Sequence, residues 1–145
     1  MYTHLLIATD GSPLAEKAVA QGIALAKELG AKVTAVTVTE PLPSILVGEA
    51  TSAFPVDHYV STARMNANEI LARVNAAAKQ MGVPCETVHV EDHFPAEGII
   101  ETAQARKCDL IVMASHGRRG LAKLFLGSQA TRVLSASSVP VLICK

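Results

Sequence analysis

The sequence predicts an α/β fold: a three-layer protein whose middle layer is an open, twisted, parallel five-stranded sheet with helices on both faces. Three observations carry this. Short apolar runs alternate with stretches of helical period along the 145 residues, the pattern of β-α-β units in a parallel sheet. The runs "DLIVMA" and "VLIC" are apolar without interruption, as strands covered on both faces are. The length suits one domain, residues 1–145, able to bury roughly 68–70% of its unfolded surface.

Each element has its own signal. "HLLIAT" (His4 to Thr9) reads as a buried strand broken by "DGSP". From Leu14 to Leu29, Ala15, Ala18, Val19, Gly22, Ile23 and Ala26 recur at spacings of three and four. That is an amphipathic helix with Ser12 as N-cap, Pro13 in the first turn and Gly30 as its stop. "KVTAVTVT" (Lys32 to Thr39) is β-branched and strand-like. Residues 40–58 contain three prolines and no period, so they read as a long loop of the kind that is functional or mobile.

A helix follows from Tyr59 to Gln80, with Ile70, Leu71, Val74 and Ala78 on one face and Gly82 and Pro84 beyond its end. Then come a strand "CETVHVE", a helix "PAEGIIETAQARK" opened by Pro95, the strand "DLIVMA", a helix "SQATRVLSAS" and a last strand "VPVLIC". In an open parallel sheet ligands bind beyond the carboxyl ends of the strands where the strand order reverses. The ends of the first and fourth strands are therefore the places to look for chemistry.

Composition narrows the function. Half the residues are hydrophobic and 18% are charged, which excludes a disordered chain. Thirteen basic side chains balance thirteen acidic ones, so nothing draws the whole molecule to nucleic acid, and any phosphate recognition is local. Cys85, Cys108 and Cys144 lie far apart with no metal-ligand spacing and read as small core residues of a reducing compartment. The start, "MYTHLLIATDGS", has no basic leader region, and its apolar run "LLIA" is short for a signal or a membrane span. The expectation is a cytoplasmic protein without membrane insertion.

The fourth strand runs into Ala114-Ser115-His116-Gly117, and nine residues later stands Gly127-Ser128. Gly127 and Ser128 read as the start of a helix, with Ser128 as N-cap. A helix start presents unpaired amides and the positive end of the dipole, a ready anion site. Gly117 permits a left-handed or closely approaching backbone at the other lip. Together the two lips form a cradle of backbone amides, with the Ser128 hydroxyl as a further donor. Asp10 ends the first strand, where a carboxylate either accepts ribose hydroxyls and helps hold Mg²⁺ or simply stabilises the "DGS" turn. His116 offers a ring N–H to a phosphate. Arg118, Arg119 and Lys123 either neutralise phosphate or form a solvated face.

On these residues, "DGS" after strand one, "CDLIVMASHG" and "LFLGSQATRVLSASSVPVLICK", the chain resembles the universal stress protein family over essentially its whole length. The resemblance implies a Rossmann-like, adenine nucleotide alpha hydrolase-like fold with strand order 3-2-1-4-5. It implies ATP or another adenine nucleotide as ligand, alone or with Mg. The family's nucleotide binders carry Gly-x-x-Gly, nine residues, then Gly-Ser or Gly-Thr. Here Gly117, Gly127 and Ser128 match, while Ala114 stands at the first glycine. If that position needs a left-handed backbone, the alanine weakens binding; if it needs only an extended one, the cost is small. The resemblance further implies Asp10 at the ribose or adenine, a backbone contact near Val38, and Met113 lining the site. Ala8, Thr9, Arg118 and Gln129 complete the expected set.

The expected role is regulatory nucleotide binding with an unknown protein partner and at most slow ATP hydrolysis, since no Gly-x-Ser-x-Gly elbow or motif-paired base is present. A homodimer through Val139 to Cys144 is also implied. The competing reading is a dimeric scaffold of the same fold without nucleotide. A phospho-receiver lacks its phosphorylatable strand-end Asp, and a flavodoxin lacks its aromatic walls, aromatic residues being 3% of the chain.

Overall fold

The structure, a computed structural model, describes residues 1–42, 55–117 and 125–145. The element order is β1 (His4–Ala8), α1 (Pro13–Leu29), β2 (Lys32–Val38), α2 (Val56–Gln80), β3 (Cys85–Val90), α3 (Pro95–Ala105), β4 (Leu110–Ala114), α4 (Ser128–Ala136) and β5 (Val141–Cys144). All pairings are parallel, in the spatial order β3-β2-β1-β4-β5. Ala8 stands beside Val36, Ile7 beside Val112, and Ala114 beside Cys144. The expected order 3-2-1-4-5 is the one observed, and β1 lies between the two directions in which the chain winds.

Alternation along the strands divides the core in two. Leu5, Ile7, Val33, Ala35, Leu110, Val112 and Ala114 pack with α1 and α2 on one face. Leu6, Ala8, Val36, Ile111 and Met113 pack with α3 and α4 on the other. Every residue of β1 and β4 is buried, which is why both read as unbroken apolar runs. Helices pack tightly where a glycine lets them. A Cβ on Gly22 would stand 2.7 Å from Ile7 Cδ1, and one on Gly98 would stand 2.9 Å from Val38 Cγ2.

The boundaries show local chemistry. Ser12 caps α1, its Oγ accepting from the Ala15 amide at 3.3 Å, and Gly30 ends the helix at φ 64°. Helix α2 begins at Val56, three residues before the expected Tyr59, with the Tyr59 amide bonded to the Pro55 carbonyl at 3.0 Å. Its first three residues are exposed and so add nothing to the apolar period. Most of the expected 40–58 loop, and Arg118, Arg119 and Lys123, lie outside the described residues. Cys85, Cys108 and Cys144 are free thiols, the latter two buried. Among the described residues no helix is long and apolar enough to cross a membrane.

Candidate functional site

Beyond the carboxyl ends of β1 and β4, at the reversal of strand order, lies a cleft of about 350 Å³. Ala8, Thr9 and Asp10 enter it from β1, and Met113, Ala114, Ser115, His116 and Gly117 from β4. Gly127, Ser128, Gln129 and Ala130 form its far lip at the start of α4. Every expected site residue except Arg118, which is not among the described residues, lines this one cleft. Val36, Glu40, Pro95, Ile99 and Ala130 line it too and were not among the expected ones. Two of them had a readable signal: Val36 shares a strand face with Val38, and Ile99 lies one helical turn after Pro95.

The cleft has two chemistries. Val36, Val38, Ile99, Met113 and Ala130 make an apolar wall. Thr9, Asp10, Ser115, His116 and Ser128 make a polar end. At that end the two lips are held together by the backbone: the Gly127 amide donates to the Ser115 carbonyl at 2.8 Å, and the Ser115 amide to the Cys144 carbonyl at 2.8 Å. The Gly127 amide is thus occupied by the protein. The first-turn amides that follow have no side-chain cap, and a helix start leaves such amides to other partners.

Both glycines are needed for close approach. Neither has a positive φ, contrary to one expectation for Gly117. A Cβ on Gly117 would meet Asp10 Oδ2 at 2.7 Å, and one on Gly127 would meet the Ser115 carbonyl at 2.7 Å and His116 Cα at 3.3 Å. A second correction concerns the start of α4. Gly127, at φ −61° and ψ 156°, is the N-cap, and Ser128 is the first helical residue. The Gly127 carbonyl accepts from the Thr131 amide at 2.9 Å and from the Thr131 hydroxyl at 2.9 Å, which places the helix boundary one residue earlier.

Of the two roles weighed for Asp10, the structure shows the turn. Oδ1 accepts from the Ser12 amide at 2.9 Å and fixes the turn into α1, while Oδ2 faces Gly117 across the cleft. Ala114 settles its own question. It is an extended residue paired with Cys144 in β4, and its side chain belongs to the core under α1. No left-handed backbone is required there, so alanine fits without strain. His116 sits against Gly127, with Cδ2 at 3.5 Å from where a Cβ would be, and its Nδ1 lies 3.1 Å from Ser115 Oγ. One buried polar atom among the described residues has no partner, Gln129 Oε1, in the first turn of α4.

A parallel three-layer α/β domain with a half-apolar, half-polar cleft at the reversal of strand order is a Rossmann-like protein. Comparison with known proteins makes the assignment specific. The universal stress protein family matches residues 1–145, and the chain belongs to that family. A universal stress protein of Methanocaldococcus jannaschii is 34% identical over all of this chain and 83% of its own length. One of Thermus aquaticus is 35% identical over the whole of both chains. Among solved structures, a universal stress protein in complex with cAMP superposes with a TM-score of 0.71 at 26% identity, covering 99% of this chain and 97% of that one.

Proposed function

We propose that the protein is a regulatory adenine-nucleotide-binding member of its family, with the base against Val36, Val38, Ile99 and Met113 and the phosphates at the start of α4. The observation that carries this reading is the juxtaposition, in one cleft, of an apolar wall with the first-turn amides of α4, whose lip the Gly127 amide ties to the Ser115 carbonyl at the end of β4. An aromatic base with an anionic tail matches both halves, since amides at a helix start favour negative charge. The cAMP complex of a relative supports an adenine nucleotide as the class.

His116 adds a side-chain donor in this reading. Ser115 is buried and its hydroxyl has His116 Nδ1 as partner. A hydroxyl donating there puts the ring's hydrogen on Nε2. Asp10 takes the ribose through its cleft-facing oxygen. Arg118 would follow Gly117 as a phosphate-neutralising residue. Mg²⁺ enters this reading only in company with a bound polyphosphate. The protein acts in the cytoplasm by changing what a protein partner sees, and hydrolysis of ATP is incidental.

The reading also includes a homodimer. β5 is an edge strand, and Leu142 on it and Leu134 on α4 are 40% and 50% exposed. A bare apolar edge is an invitation to pair, and a second copy adding its own residues from Val139 to Cys144 would satisfy it.

The test of the ligand is mass spectrometry of nucleotide released from purified protein, with thermal shifts in ATP, cAMP and adenosine. A ligand at a hundredfold excess over its Kd stabilises by about 2.7 kcal/mol. Gly127→Val, which drives a side chain into the Ser115 carbonyl, is expected to remove the ATP shift. Equal shifts in the variant and the parent would refute the cradle. No shift with any nucleotide would leave the scaffold reading.

A further inference from the structure

Gln129 is the second residue of α4 and lines the cleft. Its Oε1 is shut off from solvent and accepts no hydrogen bond. Other buried polar side chains have partners. Thr102 Oγ1 donates to the Gly98 carbonyl at 2.7 Å, Thr34 Oγ1 donates to Glu86 Oε1 at 2.8 Å, and Ser115 Oγ lies 3.1 Å from His116 Nδ1. A glutamine early in a helix often reaches back to the amide of the cap residue, but α4 has no side-chain cap bond. An unpaired buried acceptor raises the free energy of the unliganded protein, and that cost is recovered when a donor arrives. The terminal torsion of glutamine is broad and roughly two-fold, so the amide can turn toward a ligand in the cleft.

An acceptor is out of place beside an anion unless something brings a proton. On the nucleotide reading above, the first turn of α4 meets the sugar–phosphate part of the ligand. Well above the last phosphate ionisation, near pH ~6, phosphate oxygens only accept. The donor at this turn is then an O–H, from a ribose hydroxyl or from a water held by a cation on the phosphates. Mg²⁺ on a polyphosphate keeps several of its waters and so supplies donors of the second kind.

We infer, resting on that reading, that Gln129 is a specificity-determining residue of the cleft, its Oε1 accepting from an O–H that the ligand carries to the start of α4. Uncapped amides of the first turn serve the anion, and the Gln129 carbonyl serves the donor that comes with it. A ligand that brings the donor relieves the buried acceptor. One that lacks it leaves the acceptor unmet, which is the strongest ground on which a polar site rejects a near-copy of its ligand.

The experiment is calorimetric titration at pH ~8, where the phosphates are fully ionised. ATP with and without Mg²⁺, 2′-deoxy-ATP and 3′-deoxy-ATP are each titrated into the parent, Gln129→Met and Gln129→Glu. In the parent, withdrawing either Mg²⁺ or one of the hydroxyls is expected to weaken binding by about tenfold, and which of them does so names the source of the donor. Gln129→Met, close in length but without the amide, should lose that preference. Gln129→Glu keeps an acceptor and gives up the N–H donor, so it should hold the preference even where its charge weakens every form. A parent without a preference, or Gln129→Met with the parent's preference, would overturn the assignment. So would loss of the preference in Gln129→Glu as in Gln129→Met, since the amide would then act through its N–H. Any of these results with ATP still bound by the parent removes only the role of Gln129, whereas a parent that binds no form removes the nucleotide reading as well. A further readout needs no ligand. Unliganded Gln129→Met should melt no lower than the parent, because an apolar chain has no bond to miss; a lower melting temperature would show that Oε1 is already satisfied and would count against the assignment.

Discussion

Ala114 shows what a single letter conceals. An alanine in place of the family's first glycine reads either as damage to a phosphate loop, since glycine so often meets a demand for unusual dihedrals, or as a small cost where the backbone is extended. The residue is instead the last of a buried strand, its methyl among core side chains on the far face from Met113. Gly117 and Gly127 were legible as needed, yet their reason was not, because sequence does not separate a positive φ from a close approach. The structure gives the second reason for both. Ala114→Gly is therefore expected to leave nucleotide affinity unchanged and to cost about 0.5–1 kcal/mol of stability, the ordinary penalty for glycine within a strand. Calorimetric titration and urea unfolding would check the two halves of that statement.

Elements were read best where their ends carry strong local signals. Ser12, Pro13 and Gly30 mark α1, and the structure places the cap, the first turn and the stop on them. Helix α2 was placed three residues late because its opening turn is solvent-exposed, and a period exists only where one face is buried. The start of α4 was placed one residue late because Gly and Ser are both good N-cap residues, and only the Gly127 carbonyl bond to Thr131 decides between them. The apolar half of the cleft was partly invisible for a related reason. Ile99 belongs to α3, whose approach to β2 is set by Gly98 against Val38, a contact between distant parts of the chain. Gly98→Ala gains about 1 kcal/mol of helix propensity but forces an overpacked contact costing about 1–3 kcal/mol. The expected outcome is a net loss of stability together with a weaker ATP-induced thermal shift, since Val38 is moved in the cleft wall. Gly22→Ala overpacks Ile7 on the opposite face and should lower the melting temperature while sparing the ligand shift.

At the scale of the whole molecule, the alternation of elements was enough for the class, and the rule on strand reversal was enough to point to β1 and β4. The order of strands came from resemblance, since alternation alone permits several windings. The cleft draws on residues from 8 to 130, so no local window could display it entire. Nor does composition say whether the β5 edge is covered. On the homodimer proposed above, light scattering is expected to give dimers for the parent and monomers for Leu142→Glu, which places a charge on that edge. Dimers that persist in the variant would move the interface elsewhere.

The seam between β1 and β4 joins Leu5 to Leu110. During synthesis the ribosome has delivered three strands and three helices before the partner needed to complete the binding site emerges. A nascent chain can pair β1, β2 and β3, but it has no place to hold a ligand until its last quarter arrives. On the nucleotide-binding reading proposed above, capture would report that this distant pairing is finished, and a ligand would reward only chains that have closed it.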